Sequence, residues 1–251
     1  YLADVHFIDG QALAPTDFGE YDSSNVWQPK QFAGTYGTNG FRLDFSDNSS
    51  DQALGYDAAV TQPTLNPRGG MDVITYTGNG STQTLGGLAF QPDFLWIKAR
   101  NAAYDHYLQD SVRGVTKTLE SNNTDVETTN ADGVTSFNPD GFSVGAGSGY
   151  TAANVSGTNY VAWAWKAGGP AELNEDGSID SQVSVSTDYG FSIAKYTGTS
   201  SAASVGHGLN SAPKLIIVKG IYHTDHWHVY HPDVHPKYLR LSTTDGEITN
   251  T

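Results

Sequence analysis

A stretch of sequence that occurs twice constrains the fold of this chain more than any other feature. The first copy extends through Ile74–Lys98 and the second through Ile193–Lys219, so that Tyr76 recurs as Tyr196, 120 residues later. Each copy holds a Tyr-Thr-Gly triplet, a turn rich in Gly and Ser, and an apolar run that ends in Lys. A likeness that keeps its register over about fifty positions indicates a duplicated domain and not a short solenoid unit.

The likeness continues beyond these two runs. Asp105-His106-Tyr107 aligns with Asp225-His226-Trp227, and Leu119 aligns with Leu239. The second copy reaches only to Thr251, roughly half the length of the first, so we expect the chain to be cut inside a domain. The alternating residues at the start also read as a strand entered midway, which predicts further residues upstream.

The residue types between these landmarks favour strands. No window of about twelve residues has the i, i+3, i+4, i+7 apolar spacing of an amphipathic helix. Short β-branched and aromatic runs alternate with Gly, Pro and Asn-Gly turns instead, and aromatic residues make up 12% of the chain. The sequence therefore predicts an all-β chain.

Three sections follow from the repeat and from the turn residues. Residues 1–68 form the first section, residues 69–188 hold repeat 1 with a connecting hairpin at Asn174–Gly177, and residues 189–251 hold the first half of repeat 2. Within repeat 1, the run Asn159–Lys166 alternates large and small residues, with Ala162 and Ala164 on one face. This alternation predicts a sandwich strand that packs closely on one side.

Composition excludes several classes of function. The 27 acidic residues outnumber the 13 basic ones, giving a net charge of −14, and nucleic-acid binding instead requires clustered Lys and Arg. No apolar run approaches the roughly 20 residues of a membrane-spanning helix. The chain has no Cys, so it has no disulfide, thiolate metal site or thiol nucleophile. We predict no nucleic-acid partner and no membrane insertion.

Catalytic motifs are also missing from the sequence. Glucanases with a concanavalin-like sandwich carry Glu and Asp alternating along one strand to supply the carboxylate pair of glycoside hydrolysis, and no such run occurs here. Gly145–Gly149 has Gly where a serine nucleophile elbow requires Ser. The sequence therefore predicts that the protein is not an enzyme.

Two parts of the chain resemble virion proteins of tailed bacteriophages, notably marine and cyanobacterial phages. Residues 1–47, with the motif Gly37–Phe45, resemble the end of a laminin-G or concanavalin-like domain. Residues 71–251, with Pro92–Lys98 and Tyr160–Ala167, resemble the repeated β-domain that follows it in those proteins.

The resemblance implies tandem antiparallel β-sandwich domains of the jelly-roll or laminin-G type in a structural virion protein. Such a protein would be a tail fibre or a capsid-attached fibre on the exterior of the particle, perform host attachment or capsid decoration, and form a homotrimer. Its partners would be itself, other virion proteins and host-surface polysaccharide. The alternative is a carbohydrate-binding module of a secreted or surface adhesin or depolymerase.

A histidine cluster is the first candidate site. Five of the eight histidines fall within His223–His235. If His226 and His228 lie on a strand, their i, i+2 spacing places both imidazoles on one face, as a metal site with Asp225 would need. No third ligand is fixed by the pattern. A strand edge at a subunit contact, or a pH-sensitive interface, explains the same residues.

Calcium is the only cofactor that the sequence suggests. Laminin-G-like domains often bind calcium through loop carboxylates, which makes Asp44, Asp47 and Asp51 weak candidate ligands. The acidic run Glu172–Asp180 has Val183 at the position where a calcium loop needs its bidentate Glu. A tight hairpin turn explains that run more simply.

Aromatic residues in or beside predicted loops are the last candidates. Exposed rings of this kind stack on sugars or pack against neighbouring domains and subunits, and both readings stay open here. Trp96, Trp163 and Trp165 are interpreted as core residues. The candidates for glycan or interface contact are Trp27, Tyr36, Tyr104, Tyr107 and Trp227.

Overall fold

The computed structural model describes residues 4–45, 67–147 and 153–249. The chain divides into two compact units, Tyr1–Thr64 and Leu65–Thr251. In the described residues, regular secondary structure consists of antiparallel strands and short 3-10 turns. The predicted all-β class with β-sandwich domains is therefore confirmed.

The described residues contain nineteen strands. In chain order they are β1 Val5–Phe7, β2 Gly19–Tyr21, β3 Trp27–Pro29, β4 Phe41–Leu43, β5 Met71–Thr77, β6 Gln83–Gly86, β7 Phe94–Ala99, β8 Tyr107–Asp110, β9 Lys117–Glu120, β10 Thr128–Thr129, β11 Val134–Asn138, β12 Gly141–Val144, β13 Asn159–Trp165, β14 Glu172–Asn174, β15 Ser181–Ser186, β16 Phe191–Tyr196, β17 Ile216–Val218, β18 His228–Tyr230 and β19 Leu239–Arg240. The 3-10 turns are Pro15–Asp17, Pro67–Gly69 and Pro232–Val234. No helix in the described ranges is long and apolar enough to span a bilayer.

The first unit holds two small antiparallel strand pairs. β1 pairs with β4, which sets His6 opposite Arg42, and β2 pairs with β3, which sets Tyr21 opposite Trp27. Arg42 donates through Nε and Nη2 to the two carboxylate oxygens of Asp4, at 3.0 and 3.2 Å. Because a bidentate guanidinium–carboxylate pair fixes both partners, this ion pair joins the residue before β1 to β4.

Repeat 1 is a two-sheet sandwich. A six-stranded sheet in the order β10-β9-β8-β7-β13-β5 and a three-stranded sheet in the order β11-β12-β6 contribute to one buried core. The larger buried side chains of that core are Leu85, Leu88, Phe90, Leu95, Ile97, Tyr107, Val134, Phe142, Val144 and Tyr160. β7 and β13 bury alternate residues, as expected for strands with one face on a core, whereas β8 is buried at all four positions.

The central strand of the six-stranded sheet places small residues on the core side. β13 pairs with β7 on one side and with β5 on the other. Ala162 and Ala164 are fully buried, whereas Trp163 and Trp165 lie half-buried on the opposite face. The predicted alternation is confirmed. The interpretation of these two tryptophans as core residues is wrong, because they lie on the face of β13 opposite the fully buried Tyr160, Ala162 and Ala164.

Ala164→Leu is expected to lower the free energy of unfolding by about 1–3 kcal/mol, because extra methylenes in a filled core force neighbouring side chains to move. Denaturant unfolding followed by tryptophan fluorescence measures the change. Ala103→Leu, at an exposed loop position, serves as the control and should stay within about 0.5 kcal/mol. Equal stability of the two variants would contradict close packing at β13.

Repeat 2, together with the connecting hairpin, forms two three-stranded sheets, β14-β15-β16 and β17-β18-β19. β14 and β15 are antiparallel, with Asn174 opposite Ser181, which confirms the predicted hairpin. The sheet β17-β18-β19 has the same strand order and antiparallel pairing as β7-β8-β9 of repeat 1. The duplicated sequence therefore folds into a duplicated sheet.

Strand pairing corrects the alignment of the two copies at one point. Ile97 lies opposite Tyr107 in repeat 1, and its counterpart Val218 lies opposite His228 in repeat 2. The structural counterpart of Tyr107 is thus His228. The sequence alignment, which sets Tyr107 against Trp227, is wrong by one residue, because it drops the added residue before β18, whereas the strand pairing keeps it through β18.

Candidate functional site

The outer face of the six-stranded sheet of repeat 1 contacts repeat 2. The indole of Trp227 is only 6% exposed and belongs to a buried cluster with Leu108 of β8 and Leu119 of β9. Its Nε1 donates to the backbone oxygen of Glu120 at 2.9 Å. Ile221 packs against the same cluster. We call this contact the inter-repeat interface.

Backbone hydrogen bonds extend the inter-repeat interface. The amide of Asp225 donates to the oxygen of Thr124 at 3.0 Å, and the amide of Glu127 donates to the oxygen of Ile221 at 2.9 Å. The Lys219 Nζ also lies 3.4 Å from the Thr124 oxygen. Main-chain bonds that run in both directions fix the register of the two loops, so the interface has one defined arrangement.

A second contact joins the copies next to β5 and β13. The ring of Phe191 stacks on Trp165, with a centroid distance of 6.1 Å and an interplanar angle of 18°. Tyr189 lies against Gly70 so closely that a Cβ there would stand 2.3 Å from its ring. Gly70 is therefore needed where repeat 1 meets the connecting segment.

Asp93 anchors the chain where it leaves β13. Its carboxylate is almost completely buried and accepts from the Ser111 hydroxyl at 3.0 Å and from the amides of Ala167 and Gly169 at 2.8 and 3.3 Å. A cleft of about 590 Å³ opens beside it, lined by residues that include Lys166. Because three donors occupy this carboxylate, it holds the linker in place and is not arranged as a general base.

His106 is held in a neutral state beside the interface. The Trp96 Nε1 donates to its Nδ1 at 2.9 Å, so the imidazole accepts at that nitrogen. Burial lowers the pKa of His106 below its usual value and the nearby Lys98 ammonium lowers it further, while Asp105 acts in the opposite direction. The folded protein therefore favours the neutral form of the His106 imidazole.

This arrangement predicts a pH dependence of stability. In the unfolded chain His106 takes up its proton near the usual pKa of about 6.5, whereas in the folded chain it does so at lower pH. The free energy of unfolding should therefore fall as the pH falls through that window. An NMR titration of the His106 ring should give a pKa below that of a histidine in an unfolded peptide, and His106→Gln should lack this component. A ring pKa at or above about 6.5 would contradict the assignment.

The predicted histidine site is not formed as expected. His226 lies in the loop before β18, with its Nδ1 3.1 Å from the Ser242 Oγ, and β18 begins only at His228. The prediction that both imidazoles share one strand face is therefore wrong. The structure does bring His228 Nε2 to 3.4 Å from Asp225 Oδ1. Within the described ranges, no group of three or more His, Cys, Asp or Glu side chains could hold a metal ion.

Asp225 has a local role in this loop. Burial alone would raise the pKa of its carboxyl, but hydrogen bonds from the His226 amide and the His228 ring outweigh burial, so the pKa is lowered. The His226 amide donates to Asp225 Oδ1 at 2.7 Å. The carboxylate thus shapes the loop that carries Trp227 into the inter-repeat interface.

The calcium candidates are only partly described. Asp44 directly follows β4, and Asp47 and Asp51 lie outside the described residues. The acidic run in the connecting hairpin forms a turn, in which the Asp176 amide donates to Asn174 Oδ1 at 3.0 Å. Calcium binding at Asp44, Asp47 and Asp51 stays a prediction.

The five aromatic candidates differ in how far their rings are buried. Tyr107 is 1% exposed in the core of repeat 1 and is therefore not open to a ligand, whereas Trp227 is buried at the inter-repeat interface, which agrees with the alternative of packing between domains. Tyr104 packs against the core of repeat 1, and the Tyr36 hydroxyl bonds the His6 ring at 2.6 Å. Trp27 is the candidate in this group that stays open to solvent.

Trp27 forms an exposed aromatic pair with Tyr21. The two rings meet edge to face, with a centroid distance of 5.0 Å, on neighbouring strands β2 and β3. The indole lies across Gly19, where a Cβ would stand 2.4 Å from the ring. Cross-strand pairing and this glycine hold the pair in one orientation on the surface.

Sequence reasoning names Trp227 as a candidate for interface contact but misses its partners in the inter-repeat interface. Leu108, Leu119 and Ile221 carry no motif. The register of β18 is the signal that could have found the interface, since the correct alignment sets Trp227 against His106 of repeat 1. A tryptophan in place of a histidine marks a position where the two copies differ.

The fold and this interface define a protein of tandem β-sandwich repeats. Residues 66–251 match the family described as a domain of unknown function, DUF7483. The chain belongs to that family. No curated protein and no solved structure gives a significant match.

Proposed function

We propose that this protein is a non-enzymatic structural component of a bacteriophage virion, a tail fibre or a capsid-attached fibre that contacts the host surface. The observation that carries the proposal is the inter-repeat interface. Repeat 2 packs on the outer face of repeat 1 through Trp227, Leu108 and Leu119 and through paired backbone hydrogen bonds. Sequential domains fixed to one another in this way suit a rigid fibre.

The surface chemistry supports the same proposal. The net charge of −14 keeps such an array soluble and away from anionic polymers. The two copies join through apolar and main-chain contacts. We expect the protein on the particle exterior as a homotrimer with other virion proteins as partners.

Labelling of intact particles tests the proposal. Gold-conjugated antibodies raised against residues 1–251 should decorate a tail or capsid projection in electron micrographs. Light scattering of the protein should give the mass of a trimer. Particles that carry no label, together with a monomeric protein, would overturn the proposal. Loss of host polysaccharide during incubation with the protein would overturn its non-enzymatic part.

The exposed pair of Tyr21 and Trp27 supports a second candidate, carbohydrate binding. Exposed aromatic rings present the apolar faces that sugars stack on. A glycan array should then show discrete binding that Trp27→Ala abolishes. The control is Tyr222→Ala, which removes a ring that is 81% exposed in repeat 2. Equal glycan binding by Trp27→Ala and Tyr222→Ala would contradict carbohydrate binding at Trp27.

A further inference from the structure

Trp96 connects His106 to the inter-repeat interface. It lies on the outer face of β7, opposite Leu108 of β8, and its ring packs against the buried cluster of Leu108, Leu119 and Trp227. Its Nε1 donates to the Nδ1 of His106 at 2.9 Å, and the two rings meet nearly edge to face with their centroids 5.9 Å apart. The imidazole therefore helps to fix the position of Trp96 in the cluster.

A second connection passes through the loop that follows β9. The Ser121 amide donates to the backbone oxygen of His106 at 3.3 Å. The neighbouring Glu120 oxygen accepts from the Trp227 Nε1 at 2.9 Å, and the Thr124 oxygen accepts a backbone amide of repeat 2 at 3.0 Å. One loop is thus bonded both to His106 and to repeat 2.

The bond between Trp96 and His106 requires a neutral imidazole. An indole nitrogen only donates, so the Nδ1 of His106 accepts and carries no proton. In the imidazolium both ring nitrogens carry a proton, and a donor would then face a donor. Protonation therefore breaks this bond and forces one of the two rings to move. Because the Trp96 ring is part of the packing around Trp227, its movement reaches the contact with repeat 2.

The surroundings of the imidazole favour this neutral state. Burial and the Lys98 ammonium of β7 lower the pKa of His106, and the Asp105 carboxylate beside it acts in the opposite direction. Asp105 also accepts from the Asn122 Nδ2 at 2.5 Å. The bond to Trp96 is consequently intact at neutral pH and is lost only as the pH falls below the usual histidine pKa of about 6.5.

Other titratable groups lie on the elements packed at the interface. Burial raises the pKa of Glu120, so its protonation favours the folded state and opposes the effect of His106. Burial alone would raise the pKa of Asp225 too, but hydrogen bonds outweigh it and lower the pKa, so this carboxylate keeps its charge at about pH 5. The remaining groups are Asp125 after β9, and Lys219 and His226 in repeat 2.

We propose that the pair of Trp96 and His106 is a pH-sensitive switch that releases repeat 2 from the outer face of repeat 1 in acid. Protonation at Nδ1 breaks the bond, displaces the Trp96 ring and weakens its packing against Trp227. The sandwich of repeat 1 stays folded, because its core lies on the opposite face of the sheet. Histidine protonation at a contact between two parts of a protein is a general basis of pH sensing. The inference goes beyond the proposed function and does not depend on it.

Hydrogen exchange of the protein at about pH 7.5 and about pH 5 tests the switch, with exchange times scaled to the intrinsic rate at each pH. The amides of Asp225 and Glu127 bond across the inter-repeat interface. Their protection should fall about 10-fold in acid, the effect of losing one hydrogen bond, while protection of β12 stays unchanged. His106→Gln supplies an amide oxygen that accepts from Trp96 at either pH, so this variant should not show the fall.

Two further variants separate the switch from other effects of acid. The matched control His226→Gln removes a histidine whose Nδ1 lies 3.1 Å from the Ser242 Oγ, and it should keep the wild-type fall. Trp96→Phe removes the donor but keeps an aromatic ring, so its interface amides should be weakly protected at both pH values. A constant protection in the wild-type chain, an equal fall in His106→Gln, or loss of the fall in His226→Gln would overturn the proposal. An equal fall in β12 would also overturn it, since acid would then unfold repeat 1 as a whole.

Discussion

Arg113→Met should lower the free energy of unfolding by about 3–5 kcal/mol, because it leaves buried carboxylates without their countercharge. The Arg113 side chain is 8% exposed, and its Nε lies 2.5 Å from Asp110 Oδ2, which is 6% exposed. Its Nη1 lies 3.3 Å from Glu127 Oε2, and its Nη2 donates to the Leu108 oxygen at 2.9 Å. One guanidinium thus joins β8 to the loops that follow β8 and β9.

Denaturant unfolding of the wild-type chain and two variants measures this effect. Arg100→Met removes an exposed arginine of the same sheet and should change stability by less than about 0.5 kcal/mol. Adding Glu127→Gln to Arg113→Met removes one of the unpaired charges and should recover part of the loss. A loss under about 1 kcal/mol for Arg113→Met would mean that the pair behaves as a surface ion pair.

Much of the fold could be predicted because short-range patterns in the sequence determine it. The alternation in Asn159–Lys166 follows from the two faces of a strand, and the hairpin turn at Asn174–Gly177 follows from local turn chemistry. The duplication predicted that two sheets would share one design, as β7-β8-β9 and β17-β18-β19 do. These features depend on neighbouring residues or on comparison of the chain with itself.

The candidate sites could not be predicted to the same extent, because exposure depends on distant residues. Tyr107 and Trp27 are both aromatic residues near turns, yet one lies in the core and the other on the surface. The direction of each ring is decided by the strand that pairs with its own. The ion pair of Arg113 with Glu127 has no recognisable spacing, since two loops bring together residues that are 14 positions apart.

Register explains the largest difference between the expected and observed sites. The sequence alignment placed Trp227 in the position of a core tyrosine, and a shift of one residue reverses the face of a strand. The structure instead gives that position to His228 and leaves Trp227 before the strand, where it reaches repeat 1. One residue of register thus decides whether Trp227 takes a core position of its own repeat or contacts repeat 1.

Trp227→Ala should detach repeat 2 from the outer face of repeat 1 and cost about 3–5 kcal/mol, as expected when a buried tryptophan is truncated. The substitution removes the ring that covers Leu108 and Leu119 and the hydrogen bond to the Glu120 oxygen. The amides of Asp225 and Glu127 should then exchange faster, because their bonds cross the inter-repeat interface. The sandwich of repeat 1 keeps its own core and should keep its protection.

Hydrogen exchange followed by mass spectrometry resolves these regions in a single experiment. Tyr222→Ala is the matched control, since it removes an aromatic side chain from the same loop that is 81% exposed. Its exchange at the interface amides should equal that of the wild-type chain. Unchanged exchange in Trp227→Ala would show that the backbone bonds alone hold the copies together. It would contradict a stabilising role of the Trp227 side chain in a rigid array of domains. Selective loss of protection at the interface would instead identify Trp227 as the residue that converts two like domains into one rigid unit.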